Sequence, residues 1–257
     1  YLAAADKYSS DLEKNLYTTS GMLNKAPSDG NYYLRISANE DPNDRGLLGV
    51  SNGQENVNES EVIDGGFLEL VRYGVRSPLN KEIQNTLPEI DDTSLPDIVR
   101  VKYEFSVAGK AEKLPGWRRY GKDGYGEDTS AGRGYNATGK NAPDGRGRVW
   151  PIFTGERGHY ELARTAANGK LNDEELSKLR NTYVTAMEIF ANEGLMIPEQ
   201  VWDNVGSNQT YNFTAGEGTN SATPLAWSHA EYVKLLRSYA DKKVWDLNAS
   251  TSARYVK

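Results

Sequence analysis

The 257 residues contain no cysteine and two histidines, His159 and His229. The first absence excludes disulfides and thiolate metal sites. The second argues against a histidine-rich metal centre or a Ser-His-Asp triad. No apolar run approaches the roughly 18 residues needed to span a bilayer, so no membrane partner is expected. Lys and Arg number 30 against 36 Asp and Glu, a net charge of −6, and no basic cluster stands out beyond isolated Arg pairs. A nucleic-acid binder of this size would show a basic face, so no nucleic-acid partner is expected either. Residues 1–20 have neither the basic n-region nor the apolar h-region of a signal peptide. The chain opens on Tyr1 without Met, and a mature or truncated product is expected. A secreted or periplasmic place is expected ahead of a cytoplasmic one.

Phe is scarce at 5 residues, while Tyr reaches 16 and Trp 5, with 25 Gly. Tyr and Trp join a flat apolar face to a polar tip. Carbohydrate clefts need that combination, because sugar rings have apolar faces and hydroxyl rims. The same composition suits Tyr spread over helix–helix contacts equally well. The length suits one large domain or two small ones.

The hydrophobic pattern is mostly helical. Residues 1–17 place Leu2, Tyr8, Leu12 and Leu16 near one face. Residues 59–78 carry a stripe of Val62, Phe67, Leu70, Val71 and Val75 that Pro78 stops. A short helix is expected over "NKEIQNTLPEI" (80–90). Helices are also expected from Thr154, and over 172–194, where Leu176, Leu179, Tyr183, Met187 and Phe190 share a face. There Asn172 and Glu175 form a capping-box pattern and Gly194 takes the C′ position. A last helix has Pro224 near its first turn. Residues 98–120 alternate apolar and polar residues about a Gly-containing centre, which predicts a β-hairpin. Residues 121–148 form a long Gly-, Asp- and Asn-rich segment, which in a compact domain is functional or disordered.

Four loop or loop–helix stretches join Trp or Tyr to charged or amide groups. They are "PGWRRYGKDGYGED" (115–128), "GRVWPIFTGERGHYELA" (147–163), "GLMIPEQVWD" (194–203) and "GTNSATPLAWSHAEYVKL" (218–235). The third places a carboxylate, Glu199, in the most apolar part of a connection. A loop that only reverses the chain favours Asn, Asp, Ser and Gly, and burying an unpaired carboxylate raises its pKa. Those ten residues leave two readings open: a Glu that caps or salt-bridges, and a tuned acid or base.

Together these stretches, with "NEDPND" and "VIDGGFLELVRYGV", resemble the bacterial-type glucoamylases and glucodextranases of glycoside hydrolase family 15. The resemblance covers roughly residues 18–240. It implies a mainly α fold, an (α/α)6 toroid, of which this chain supplies roughly the second half, with a small β-hairpin and long functional loops. It implies inverting, exo-acting hydrolysis of α-glucosidic bonds in starch-type α-1,4 or dextran-type α-1,6 glucans, with an α-glucan oligosaccharide or polysaccharide as partner. It makes Glu199 the general base. Arg119 and Asp123 match positions that hold glucose in the first subsite, and Tyr125 lines the same pocket. Trp150 and Trp227 match aromatic positions facing the sugar, and Glu156 and Arg157 a charged pair near the pocket.

The chemistry of the residues fits. Inverting hydrolysis uses two carboxyl groups about 6.5–9.5 Å apart, leaving room for water beside the base. Met196, Ile197 and Trp202 are expected to keep Glu199 partly dry, with Trp202 walling the pocket. A planar Arg fork suits adjacent sugar hydroxyls. Plainer roles stand beside these. Trp150 fits a core position, Arg119 a structural ion pair with Asp123 or Glu127, and Glu156 and Arg157 a buried pair. The two histidines read as packing residues. No cofactor is implied; the carboxylates of "DGYGED" offer Ca²⁺ as a minor alternative, though their spacing is not that of an EF-hand.

One part of the family pattern is missing. The family's general acid lies in a Trp-Glu-Glu motif, and none of Trp117, Trp150, Trp202, Trp227 and Trp245 precedes Glu. The one Glu-Glu pair, Glu174–Glu175, sits in a helical first turn. Residues 1–257 therefore read as the C-terminal part of a glucoamylase-like catalytic domain, with the N-terminal half of the same enzyme as the missing partner. The chain alone is expected to be inactive. Two further readings remain, a non-catalytic α-glucan-binding module and a structural domain that only completes the toroid.

Overall fold

The structure, a computed structural model, describes residues 1–50, 52–106, 112–135 and 144–256. It is mainly helical with short antiparallel sheets. Helix α1 (Leu2–Leu16) leads into β1 (Tyr17–Thr18), which pairs with β2 (Tyr32–Tyr33). β3 (Leu47–Leu48) pairs with β4 (Val57–Asn58). α2 (Leu68–Arg72) and α3 (Lys81–Asp91) follow. Next come β5 (Lys102–Ser106), β6 (Lys113–Arg118) and β7 (Val149–Trp150), which form one antiparallel sheet. α4 (Pro151–Ala167) starts directly after β7. α5 (Asp173–Leu179) runs through a π-helical turn (Arg180–Val184) into α6 (Thr185–Ile189). α7 (Ala226–Asp241) and α8 (Ala249–Tyr255) complete the order. Among the described residues no helix is long and apolar enough to cross a membrane.

The predicted hairpin is present as β5 and β6, with Lys102 opposite Trp117 and Ser106 opposite Lys113. Its Gly-containing centre lies outside the described residues, as do residues 136–143 of the long loop. Several boundaries differ from expectation for local reasons. The stripe over 59–78 is a 3₁₀ turn (Glu59–Glu61) and the short α2. Between them Asp64 Oδ1 accepts the Gly66 N–H at 2.8 Å, an Asx turn where a continuous helix would need its own ladder. Val62, Phe67 and Val71 are nonetheless all buried. α4 begins at Pro151 rather than Thr154, with proline at the position that lacks an N–H partner in any helix. The Asn172 cap on the Glu175 N–H is present at 2.9 Å. The far end of that helix stops before Gly194. The Asn192 side chain instead accepts from the Gly194 and Met196 N–H groups, and Leu195 takes the positive φ of 59°. α8 has no counterpart in the periodicity reading. The α1 stripe is also less buried than expected, with Leu2 and Tyr8 exposed and Leu16 packed on the core.

The core has three main parts. Ile63, Phe67, Leu68, Val71, Ile83, Ile90 and Tyr160 join α2, α3 and α4. Tyr103, Phe105, Leu114, Val149, Phe190 and Val201 back the sheet. Leu162, Val184, Met187, Leu235 and Tyr239 join α4 to α6 and α7. Each such side chain contributes roughly 1.5–3 kcal/mol relative to exposure. The α4–α7 contact depends on Gly155 and Gly158. A Cβ at Gly155 would stand 2.5 Å from Glu231 Cγ, and one at Gly158 would stand 2.9 Å from a Leu235 methyl carbon.

The sheet continues past β7 without regular strands. Val149 bridges Val201, and Val201 bridges Gly218. The Val201 N–H donates to the Val149 carbonyl at 2.8 Å, and the Thr219 N–H to the Gln200 carbonyl at 3.0 Å. The end of β6, the end of β7 and the Glu199 segment thus lie side by side, although they are far apart in sequence.

Candidate active site

Arg119 follows β6, Trp150 ends β7, and Glu199 stands two residues before the bridge at Val201. Arg119 Nε and Nη2 grip Asp123 in a two-point pair at 3.1 and 2.9 Å, with Nη2 also donating to the Tyr120 hydroxyl. Nη1 is left over from this clamp. The Arg119 guanidinium carbon lies 4.7, 5.3 and 5.2 Å from the ring centroids of Tyr120, Tyr125 and Trp150. Burial opposes its charge, but Asp123, Tyr120 and Glu199 outweigh that and raise its pKa. Asp123 is buried, and its Oδ1 also accepts the Tyr125 N–H at 3.0 Å. Tyr125 is half-buried, edge-on to Tyr135 with ring centroids 4.6 Å apart and 6.4 Å from Trp150. Burial and the Glu199 charge both raise the Tyr125 phenol pKa.

Glu199 is half-buried within electrostatic reach of Arg119 and Tyr125. Burial raises its pKa above the ordinary 4.5, opposed by a backbone hydrogen bond at Ala222 and by the Arg119 charge. A carboxylate so balanced is partly desolvated yet can ionise, which is what a base working near neutral pH requires. Beside it opens a cleft of about 320 Å³ lined by Tyr125, Tyr135, Gln200, Tyr211, Asn220 and Ser221, among others. The walls are phenols, amides and hydroxyls, a lining suited to a polyhydroxylated ligand.

Five of the residues singled out in the sequence therefore come together: Arg119, Asp123, Tyr125, Trp150 and Glu199. The others do not join them. Trp202 is 2% exposed and packs under the Arg148 guanidinium at 4.2 Å, so it belongs to the core rather than to a pocket wall. Of the expected apolar wall Met196 is exposed, while Ile197 and Trp202 are both buried. Arg157 is engaged by Asp91 at 3.0 and 2.8 Å and by Glu161 at 2.9 Å, and it lies over Trp117, which makes it a structural ion-pair centre. Glu156, its expected partner, lines the same small cavity as Arg157, Gly65, Leu68 and Phe153, but the carboxylates that hold Arg157 are those of Asp91 and Glu161. Burial there pushes its carboxyl well above the usual range, and Glu69 and Glu231 add to the effect. Trp227 is 64% exposed on the first turn of α7.

The three carboxylates of the Ca²⁺ alternative at residues 123–128 are each engaged by an arginine. Asp123 is held by Arg119, Glu127 by Arg148, and Asp128 by Arg133 and the Ala131 and Gly132 N–H groups. Among the described residues no three His, Cys, Asp or Glu side chains are grouped to hold a metal.

Sequence reasoning missed the clamp that supports the site. Arg148 is fully buried and donates to Glu127, to Asp203 and to the Glu127 and Val205 carbonyls. Its own N–H donates to Gln200 Oε1 at 2.7 Å. In "GRGRVW" it reads as one more loop arginine, and nothing local marks it. Tyr135, Tyr211 and Asn220 were likewise hidden in polar loop sequence.

Comparison with known proteins shows the family. The family model described as Glycosyl hydrolases family 15 matches residues 3–237. A Glucoamylase of Clostridium sp. (strain G0005) is 37% identical over 256 residues, covering 100% of this chain and 30% of that protein. A solved structure described as bacterial glucoamylase complexed with acarbose is 36% identical, with a TM-score of 0.75, over 99% of this chain and 31% of its own. The chain thus spans about a third of the length of each of these relatives. The structural match places its helices in the (α/α)6 toroid fold of that glucoamylase.

Proposed function

The chain belongs to glycosyl hydrolases family 15, and from that premise we propose that residues 1–257 are the C-terminal part of a glucoamylase-like catalytic domain. The domain hydrolyses α-glucosidic bonds of glucans from the non-reducing end with inversion. Glu199 is the general base. Arg119 and Asp123 hold the terminal glucose, with the free Nη1 of Arg119 as the donor to its hydroxyls, and Tyr125 and Trp150 line the same pocket. The observation that carries this reading is the approach of Glu199 to the Arg119–Asp123 clamp, two segments far apart in sequence whose neighbours Tyr125 and Gln200 line a polar cleft.

In the proposed step Glu199 removes a proton from water as the water attacks C1, and the leaving glucosyl oxygen takes a proton from an acid on the opposite face. The family resemblance implies a Trp-Glu-Glu carboxyl as that acid, a motif this chain does not carry; the chain spans 30% of the length of the Clostridium relative. The acarbose of the related structure supports a pocket for a glucan-like ligand.

The test follows maltose and isomaltose with the intact enzyme that contains this chain. Glu199→Gln should lower turnover at least 100-fold, within the range of general-base contributions, and leave acarbose affinity within a few-fold by calorimetry. Glucose should appear first as the β-anomer. Unchanged turnover in Glu199→Gln, or α-glucose as first product, overturns the assignment. The 257-residue chain alone should release no glucose. Binding without turnover in the intact protein would favour the glucan-binding module instead.

A further inference from the structure

The segment that carries Glu199 is stitched to the stretch leading into α7. The Glu199 N–H donates to the Ala222 carbonyl at 2.8 Å, and the Leu225 N–H to the Ile197 carbonyl at 3.0 Å. Ser228 Oγ donates to the Pro198 carbonyl at 3.0 Å, and the Gln200 N–H to Ser221 Oγ at 2.9 Å. One stitch differs in kind. The Ile197 N–H donates to His229 Nε2 at 3.0 Å. Ile197 is 3% exposed, so little water can replace that acceptor.

An imidazole nitrogen accepts only through its lone pair. His229 must therefore be neutral with its proton on Nδ1 when it holds Ile197. Amides and carbonyls have one hydrogen-bonding sense; here the sense depends on which nitrogen carries the proton. We propose that His229 is a positioning residue for Glu199, its Nε2 fixing the backbone two residues upstream so that the carboxylate is presented to the cleft beside Arg119. This rests on the reading of Glu199 as the base. Lever length supports it: Ile197 and Pro198 are both tied to the first turn of α7, and Glu199 is the next residue out. The helix is a rigid seat, with Leu235 and Tyr239 further along it buried in the core.

The test uses NMR on the intact enzyme that contains this chain, with its histidine rings and the Ile197 amide isotope-labelled and the His229 signals assigned by their loss in His229→Gln. His229 should show a protonated Nδ1 and a bare Nε2. His229→Ala should speed exchange of the Ile197 amide at least tenfold and move the Glu199 carboxyl titration toward 4.5. His229→Gln, whose side-chain carbonyl can accept the same N–H, should restore both. Circular dichroism confirms that each variant is folded. A proton on Nε2 in the wild type overturns the proposal even if His229→Ala does not fold. So does a Glu199 titration unchanged in a folded His229→Ala, because mere stabilisation by His229 would leave that titration where it is. None of these readouts needs turnover. Loss of the base assignment in the Glu199→Gln assay would therefore be seen separately from loss of the positioning role.

Discussion

Arg148 offers the sharpest test of the energetics around the site. Its guanidinium is fully buried, as are Glu127 and Asp203, and the distances are 3.2 Å to Glu127 Oε2 and 2.9 Å to Asp203 Oδ1. Arg148→Met keeps the length and the apolar contact with Trp202 but leaves two buried carboxylates and two backbone carbonyls without their donor. Removing one partner of a buried pair costs about 3–5 kcal/mol. Two carboxylates share this arginine, so the upper part of that range is expected. Against a total stability of roughly 5–15 kcal/mol, the loss is large. For a domain of this size it corresponds to a fall in Tm of about 6–20 °C. Urea unfolding is the direct assay, with the midpoint displaced and the slope unchanged. Lys178→Ala is the control. That side chain is 59% exposed where it meets Glu174, itself 76% exposed, and an exposed pair is worth about 1 kcal/mol or less. Adding Glu127→Gln and Asp203→Asn to Arg148→Met should recover more than half of the loss, because the uncompensated charges go with the carboxylates. An Arg148→Met variant within about 1 kcal/mol of the wild type would refute the reasoning.

Two further outcomes are expected. The Glu156 carboxyl has its pKa raised by burial well above 4.5, so the folded state holds this proton more tightly than the unfolded chain. The stability it contributes is complete below about pH 4.5 and is lost as pH rises through the folded value. Glu156→Gln should therefore raise the unfolding midpoint at neutral pH and leave it unchanged at pH 4 or below. An equal gain at both pH values would remove burial of the charge as the cause. Gly147→Ala should disturb the Arg119–Asp123 clamp, because the new Cβ would stand 2.4 Å from Asp123 Oδ2. Overpacking of this kind costs roughly 1–3 kcal/mol, and acarbose affinity should fall with it. Unchanged affinity would mean that Asp123 shifts without loosening Arg119.

The helices read from the sequence were those marked by short-range physics. The 3.6-residue stripe from Leu176 to Phe190 and the Asn172 cap lie within one element, and they reappear as α5, α6 and the turn between them. The hairpin announced itself by alternation at Lys102–Ser106. The stripe over 59–78 misled because Val62 and Phe67 are buried from two short elements, which a single period cannot distinguish from one helix. Glu199 stood out by its apolar setting, whereas Arg119, Asp123, Tyr125 and Trp150 were marked by the family resemblance.

What the sequence by itself determined, then, was the helical class, the turn chemistry and the family. The tertiary structure alone decided which aromatic and charged side chains face a cleft and which hold the molecule together. Trp150 and Trp202 look alike in sequence, each beside Val in an apolar stretch. One lies beside Arg119; the other is sealed beneath Arg148. Arg157 could not be told from a pocket residue until Asp91, 66 positions away, was seen to hold it. Local patterns encode periods and caps over a few residues. The surroundings of a side chain are set by partners from distant segments, and only the packed fold brings those together.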